Sequence, residues 1–129
     1  MSEAGGDERR FLPRRAPIDA YGAGGFRFAD MSHRGALLAL PSGMHAWAVV
    51  DATSLSEVDL APVFAEASEF ELLLLGTGRD LVPVSESLRW QLRDHRIALD
   101  VMPTAPAIRT WNVLLAEDRR VAAALIPVP

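Results

Sequence analysis

The residues with the most chemical potential are five in a row, Gly76-Thr77-Gly78-Arg79-Asp80. Two glycines let a backbone approach a ligand closely, and a guanidinium pairs well with an anion. The run is neither Gly-x-Gly-x-x-Gly nor a Walker loop, because no third glycine and no Lys-Ser/Thr pair follows. Pro83 also delays the next helix, so no helix N-terminus stands directly behind the glycines. A tight structural turn is the expectation. The alternative is an anion or nucleotide site, or an enzyme built on this loop. That alternative requires a pocket above Gly76 and Gly78 lined by Arg79, Thr104 and Asn112.

Other constellations are incomplete. His33, His45 and His95 do not fall at metal-ligand spacing with one another or with a carboxylate pair on one helix. No serine lies in Gly-x-Ser-x-Gly or has a readable base and orienting acid. Carboxylates able to act as a pair, such as Asp51, Glu66 and Asp100, are far apart in the chain. With no cysteine there is no disulfide, zinc–thiolate site or cysteine nucleophile. The sequence thus shows no complete catalytic site and calls for no cofactor or metal. Two further residues stand out. Asn112 lies mid-helix, where asparagine is mildly unfavourable, so its amide is expected to bond an adjacent loop or, as the alternative, a partner. Trp90 lies off its helix's apolar stripe beside Arg89 and Arg93, a composition typical of interface hot spots, with packing against the end of the sheet as the equal alternative.

These residues need elements to position them. Phe26-Arg27-Phe28 alternates as a strand, next to glycines that suit a turn or bulge. Residues 34–40 and 44–51 read as two strands around a Pro41-Ser42-Gly43 turn, with His45, Trp47 and Val49 on one face. A helix follows with Asp59 as cap and Pro62 in its first turn, burying Leu60, Val63, Phe64 and Ala67. The apolar run 70–75 reads as a buried strand ending in the glycine loop. A helix over 85–95, with Leu88 and Leu92 inward, leads to a strand over 97–102, which makes a βαβ unit with parallel strands. Thr104 is expected to cap a last helix carrying Ile108, Trp111 and Leu115 inward, before a closing strand over 119–128. Residues 1–15, polar and rich in glycine and arginine, read as a disordered arm, and 16–129 as one domain. The order suggests an α/β fold: a mixed sheet flanked by helices, with an N-terminal antiparallel β-hairpin portion.

Composition narrows the function. The chain has 129 residues, room for one domain, with 50% hydrophobic residues and a net charge of −4. An acidic surface argues against nucleic acid and against anionic membranes as main partners. The first ten residues cannot form a signal-peptide core, and no apolar run is long enough to span a bilayer, so a cytoplasmic location is expected.

Larger patterns are specific in combination. They are Tyr21-Gly22-x-Gly24-Gly25-Phe26-Arg27-Phe28, Gly35-Ala36-Leu37-Leu38 followed by Trp47, and Leu74-Leu75-Gly76-Thr77-Gly78. The last is Met102-x-Thr104-x-x-Ala107-x-x-Thr110-Trp111-Asn112-Val113-Leu114, then Glu117-x-Arg119. Together they resemble, over 18–128, the domain family of unknown function that includes mitochondrial complex I (NADH:ubiquinone oxidoreductase) assembly factor 3, and the chain resembles its bacterial members. The resemblance implies an α/β fold, no known enzymatic activity, and a protein-binding role in complex assembly, with respiratory subunits or assembly factors as partners. Membranes would be met only through partners, and a homo-oligomer is a further possibility. The 76–80 loop and the helix starting at Thr104 would form the functional edge, with Trp90 at an interface. The family often has glycine where this chain has Asp118; a turn needing positive φ there would be strained, though aspartate tolerates it better than most residues. It usually has tyrosine or phenylalanine where this chain has Trp111.

Overall fold

The computed structural model describes residues 10–129. A six-stranded mixed sheet forms the centre. Its strands are β1 (Arg10–Leu12), β5 (Ala36–Leu40), β6 (Gly43–Trp47), β7 (Leu72–Gly76), β8 (Ala98–Met102) and β9 (Val121–Leu125), in spatial order β1-β6-β5-β9-β7-β8. A second sheet holds β2 (Ala20–Gly22), β3 (Gly25–Phe28) and β4 (Met31–Arg34) in sequence order. Among the described residues three helices, α1 (Ala61–Ala65), α2 (Glu86–Asp94) and α3 (Thr104–Ala116), complete the fold, with short 3-10 turns at Ala52–Ser54 and Ala67–Glu69. This is the mixed α/β architecture that the order of apolar runs implies.

β9 decides the topology. It pairs antiparallel with β5 and parallel with β7, so it joins the hairpin half of the sheet to the βαβ half. All five of its residues are buried. Ala122 and Ala124 face one apolar cluster and Val121, Ala123 and Leu125 the other. The first cluster takes Leu60 and Val63 from the α1 region and Leu88 and Leu92 from α2. The second takes Ala107, Ile108 and Trp111 from α3, together with Phe26 and Phe28. The three-stranded sheet therefore shares one face of the main sheet with α3, while α1 and α2 cover the other. Alanines on β9 keep both layers close to the strand, as dense packing requires.

Several local features differ from expectation. The arm expected over 1–15 is already a strand at β1, where Arg10 pairs with His45 and Leu12 with Met44. Arg15 donates from Nη1 to the carbonyl of Arg119 at 2.9 Å. β1 gives partners to backbone groups at an otherwise open β6 edge, which composition does not reveal. Residues 1–9 lie outside the described residues. Residues 18–29, read as one strand beside a turn or bulge, hold both β2 and β3, and β4 follows and takes in Arg34, which was expected to open the next strand. Gly35, at φ 101°, then breaks β4 from β5, a conformation open to glycine. Asp59 does not cap α1. Leu60 holds the cap position with no side-chain bond, and Asp59 instead accepts from the Ser56 N–H at 2.9 Å. Ser85 does cap α2, accepting from the Leu88 N–H at 3.2 Å. Asp51 caps the 3-10 turn, and the hydroxyl and N–H of Thr53 hold its carboxyl below the usual aspartate range.

Two helices end on the same device. After α3, Asp118 takes φ 58°, and its N–H donates to Leu115 while that of Arg119 donates to Leu114. After α2, Arg96 takes φ 61°, with equivalent bonds from Arg96 to Arg93 and from Ile97 to Leu92. Both are Schellman motifs, whose left-handed residue is most often glycine. Asp118→Gly is expected to raise stability by about 0.5–1 kcal/mol, the left-handed strain relieved less the extra freedom of glycine in the unfolded chain. Denaturant titration measures this; an unchanged midpoint would show that aspartate carries no strain there.

Candidate functional site

The Gly76–Asp80 loop leaves β7 at the point where β9 and α3 converge. Any Cβ on Gly76 would lie 2.9 Å from the Thr104 Oγ1 and the Leu125 Cδ2, and 3.0 Å from the Thr104 Cα. Glycine is thus required by close packing. Gly78 has φ 99° and turns the chain back. Its N–H donates to the Thr104 Oγ1 at 2.8 Å, and its carbonyl accepts from the Thr104 N–H at 2.8 Å. The Thr104 hydroxyl donates to the Ile126 carbonyl at 2.6 Å, and the Ile126 N–H donates to Gly76 at 2.9 Å. The Thr77 N–H donates to Met102, and its hydroxyl donates to Asp80 at 2.6 Å while accepting from the Val82 N–H at 3.1 Å.

This arrangement is a closed knot tying β7, β9 and α3. Thr104 is fully buried and Thr77 is 5% exposed. Thr104 is therefore not a cap but the first residue of α3, with its hydroxyl spent on two backbone groups. The Gly78 and Thr104 N–H groups, which would have cradled an anion, are satisfied within the fold. The space above Gly76 is filled by Thr104 and Leu125. Arg79 and Asp80 are exposed on the outside of the turn. Asn112 is not part of this edge: it lies eight residues along α3, about 12 Å by helical rise. There its Oδ1 accepts from the Ile18 N–H at 2.8 Å and its Nδ2 donates to the Ile18 carbonyl at 2.9 Å. Trp111 Nε1 donates to the Ala16 carbonyl at 3.0 Å. The Trp-Asn pair thus clamps the chain entering β2, the loop-bonding use expected of Asn112.

A polar cluster that sequence spacing conceals lies at the β5–β6 turn. The Ser42 hydroxyl donates to the Glu66 Oε2 at 2.6 Å and contacts the His45 Nε2 at 2.7 Å, while the Ser42 N–H donates to the Glu66 Oε1 at 2.8 Å. In a serine-hydrolase relay the carboxylate orients the imidazole. Here Glu66 accepts the hydroxyl's hydrogen bond directly, so the cluster staples the turn to the end of α1. An adjoining cavity of ≈ 480 Å³ is walled by Leu38, Leu40, Trp47 and Pro62. A wider groove of ≈ 680 Å³ crosses the three-stranded sheet, lined by Tyr21, Arg27, Ser32 and Arg34 over Gly22 and Gly25.

The remaining candidate is the α2 surface. Trp90 is 55% exposed, and the Arg93 guanidinium sits 4.9 Å from its ring centroid. Arg89, Arg93 and Arg96 line a cavity of ≈ 370 Å³ with Ile97, Ala98 and Leu99 at the start of β8, the last strand of the sheet. The recurrence of arginine at i, i+4 and i+7 was the available signal. The bend at Arg96, which brings the third guanidinium in, was not legible without the structure.

Residues 18–126 match the family model described as a protein of unknown function, DUF498/DUF598. The chain belongs to this family. An uncharacterized protein of Rhodobacter capsulatus is 43% identical over 113 residues, which cover 88% of this chain and 86% of that one. The NADH dehydrogenase [ubiquinone] 1 alpha subcomplex assembly factor 3 of Danio rerio is 31% identical over 112 residues. The match spans 87% of this chain but 64% of the length of that relative. A crystal structure of a Bartonella henselae protein, described as an outer membrane protein, superposes with a TM-score of 0.87 at 51% identity. That superposition covers 92% of this chain and 99% of the other. The resemblance drawn from the four sequence patterns is thereby borne out for family and fold. Among the described residues no helix is long and apolar enough to cross a membrane.

Proposed function

We propose that this family member is a non-enzymatic, cytoplasmic protein-binding module that assists assembly of a respiratory or other membrane-associated complex. It would reach membranes only through its partners. The observation that carries this reading is the kinship with proteins named as complex I assembly factors. The structure supports it in a second way. The motif residues Gly76, Thr77, Gly78, Thr104, Trp111 and Asn112 are used to build the fold. Trp90, by contrast, lies half exposed under a guanidinium, where a large ring has no core to fill. Such a ring is a typical anchor for a partner.

The test is affinity capture from gently solubilised membranes followed by quantitative mass spectrometry, with Trp90→Ala and Arg79→Ala alongside the wild type. Respiratory-complex subunits or assembly proteins are expected with the wild type and with Arg79→Ala, and at least fivefold less with Trp90→Ala at unchanged thermal stability. Equal recovery by all three proteins would remove Trp90 from the interface. No specific recovery by any would end the assembly reading.

A further inference from the structure

The outer edge of β8 has the backbone phase of an acceptor strand. The Ala98 N–H donates to Glu71 at 2.9 Å and the Thr77 N–H donates to Met102 at 2.9 Å. In a parallel ladder alternate residues bond the same neighbour, so Ala98, Asp100 and Met102 address β7. Leu99 and Val101 therefore direct N–H and C=O away from the sheet. Among the described residues no strand pairs with that edge. Their side chains pack toward the α2 layer, whereas Asp100 alternates to the α3 side.

Above that edge the charge has one sign. Arg89 and Arg93 stand one turn apart on the flank of α2 that overhangs β8, and Arg96 joins them at the bend. The opposite flank of α2 faces α1, where His95 stacks on Phe64 with centroids 4.4 Å apart. Arg96 is also the residue held at φ 61°, where glycine would fit without strain. The same left-handed cap at Asp118 shows that the conformation belongs to the helix end; what Arg96 adds is a charge beside the strand edge.

We infer that the β8 edge binds an extended acidic segment of a partner by strand addition, its alternate carboxylates meeting Arg89, Arg93 and Arg96. This rests on the protein-binding reading above and names the partner's chemistry. Main-chain bonds to Leu99 and Val101 supply the ladder, and the arginines supply selectivity. The spacing agrees. Arg89 and Arg93 are about 6 Å apart along the helix axis, and alternate residues of a strand are about 6.7 Å apart. Carboxylates at the intervening positions would face Asp100, so the pattern sought is Glu-x-Glu with neutral residues between.

The probe is a labelled nine-residue peptide alternating glutamate with threonine, followed by fluorescence anisotropy at low salt. A peptide of the same composition with its glutamates in one block is the control. The alternating peptide is expected to bind at least fivefold more tightly than the blocked one. Arg93→Glu should weaken it at least tenfold. Arg96→Gly should weaken it about threefold while raising the melting temperature, which separates binding from folding. N-methylation of every glutamate or of every threonine should abolish binding in one isomer and spare it in the other, since alternate N–H groups of a strand face one edge. Equal binding by the two isomers, or no effect of Arg93→Glu, would overturn strand addition. So would equal affinity for a single-stranded oligonucleotide. If the peptide fails while Trp90-dependent capture of respiratory subunits succeeds, the assembly reading survives and the β8 mode does not. Peptide binding without captured subunits gives the reverse.

Discussion

Thr104→Val is expected to destabilise the protein by about 2–4 kcal/mol, although it removes no volume. The Thr104 hydroxyl is the shared partner of the Gly78 N–H and the Ile126 carbonyl. Valine leaves both groups buried with a bond lost, and each orphan costs roughly 1–3 kcal/mol. Thr104→Ser keeps the hydroxyl and should cost less than half as much. Denaturant titration of the pair decides the matter. If valine and serine are equally mild, then water reaches the knot and the hydroxyl is dispensable. A large loss would show that the Gly-Thr-Gly loop and the distant Thr104, which fall in two separate sequence patterns, are a single tertiary joint.

Trp111→Ala should have the larger effect, about 3–5 kcal/mol from lost packing and the cavity left behind. Trp111 is fully buried among Phe26, Phe28, Ala107 and β9 residues. Its Nε1 also holds the Ala16 carbonyl. A domain of ordinary stability, about 5–15 kcal/mol, would be left marginal. Trp111→Phe isolates the polar part, since phenylalanine fills much of the site and deletes the donor. It should cost roughly 1–2 kcal/mol and loosen Ala16 to Ile18 first, visible as faster amide exchange at Ile18, whose N–H is held by the neighbouring Asn112. Uniform exchange across the whole fold in that variant would contradict the clamp.

These two predictions bear on function because the patterns that identify the family fall largely on such joints. Thr104, Trp111 and Asn112 bond backbone, and Gly76 makes room for a helix. A reader of the sequence sees a glycine loop with a nearby arginine and considers an anion. The structure shows the donors already committed. The residues proposed to meet partners, Trp90, Arg89, Arg93 and Arg96, carry no motif.

The sequence by itself determined the class of fold, the parallel βαβ unit, the buried strand at 70–75 and the inward stripes of α2 and α3, because apolar periodicity is a local property. It did not determine β1, because an edge strand's partner is a backbone edge rather than a side-chain pattern. It did not separate β2, β3 and β4, whose three or four residues each are too few for a period. Nor could it place β9 between β5 and β7, or bring Ser42, His45 and Glu66 together. Those outcomes depend on contacts distant in the chain, such as Ser42 with Glu66, 24 residues apart, and β5 with β9. Only the packed chain decides which hydroxyl meets which carbonyl, and which strand edge is left open.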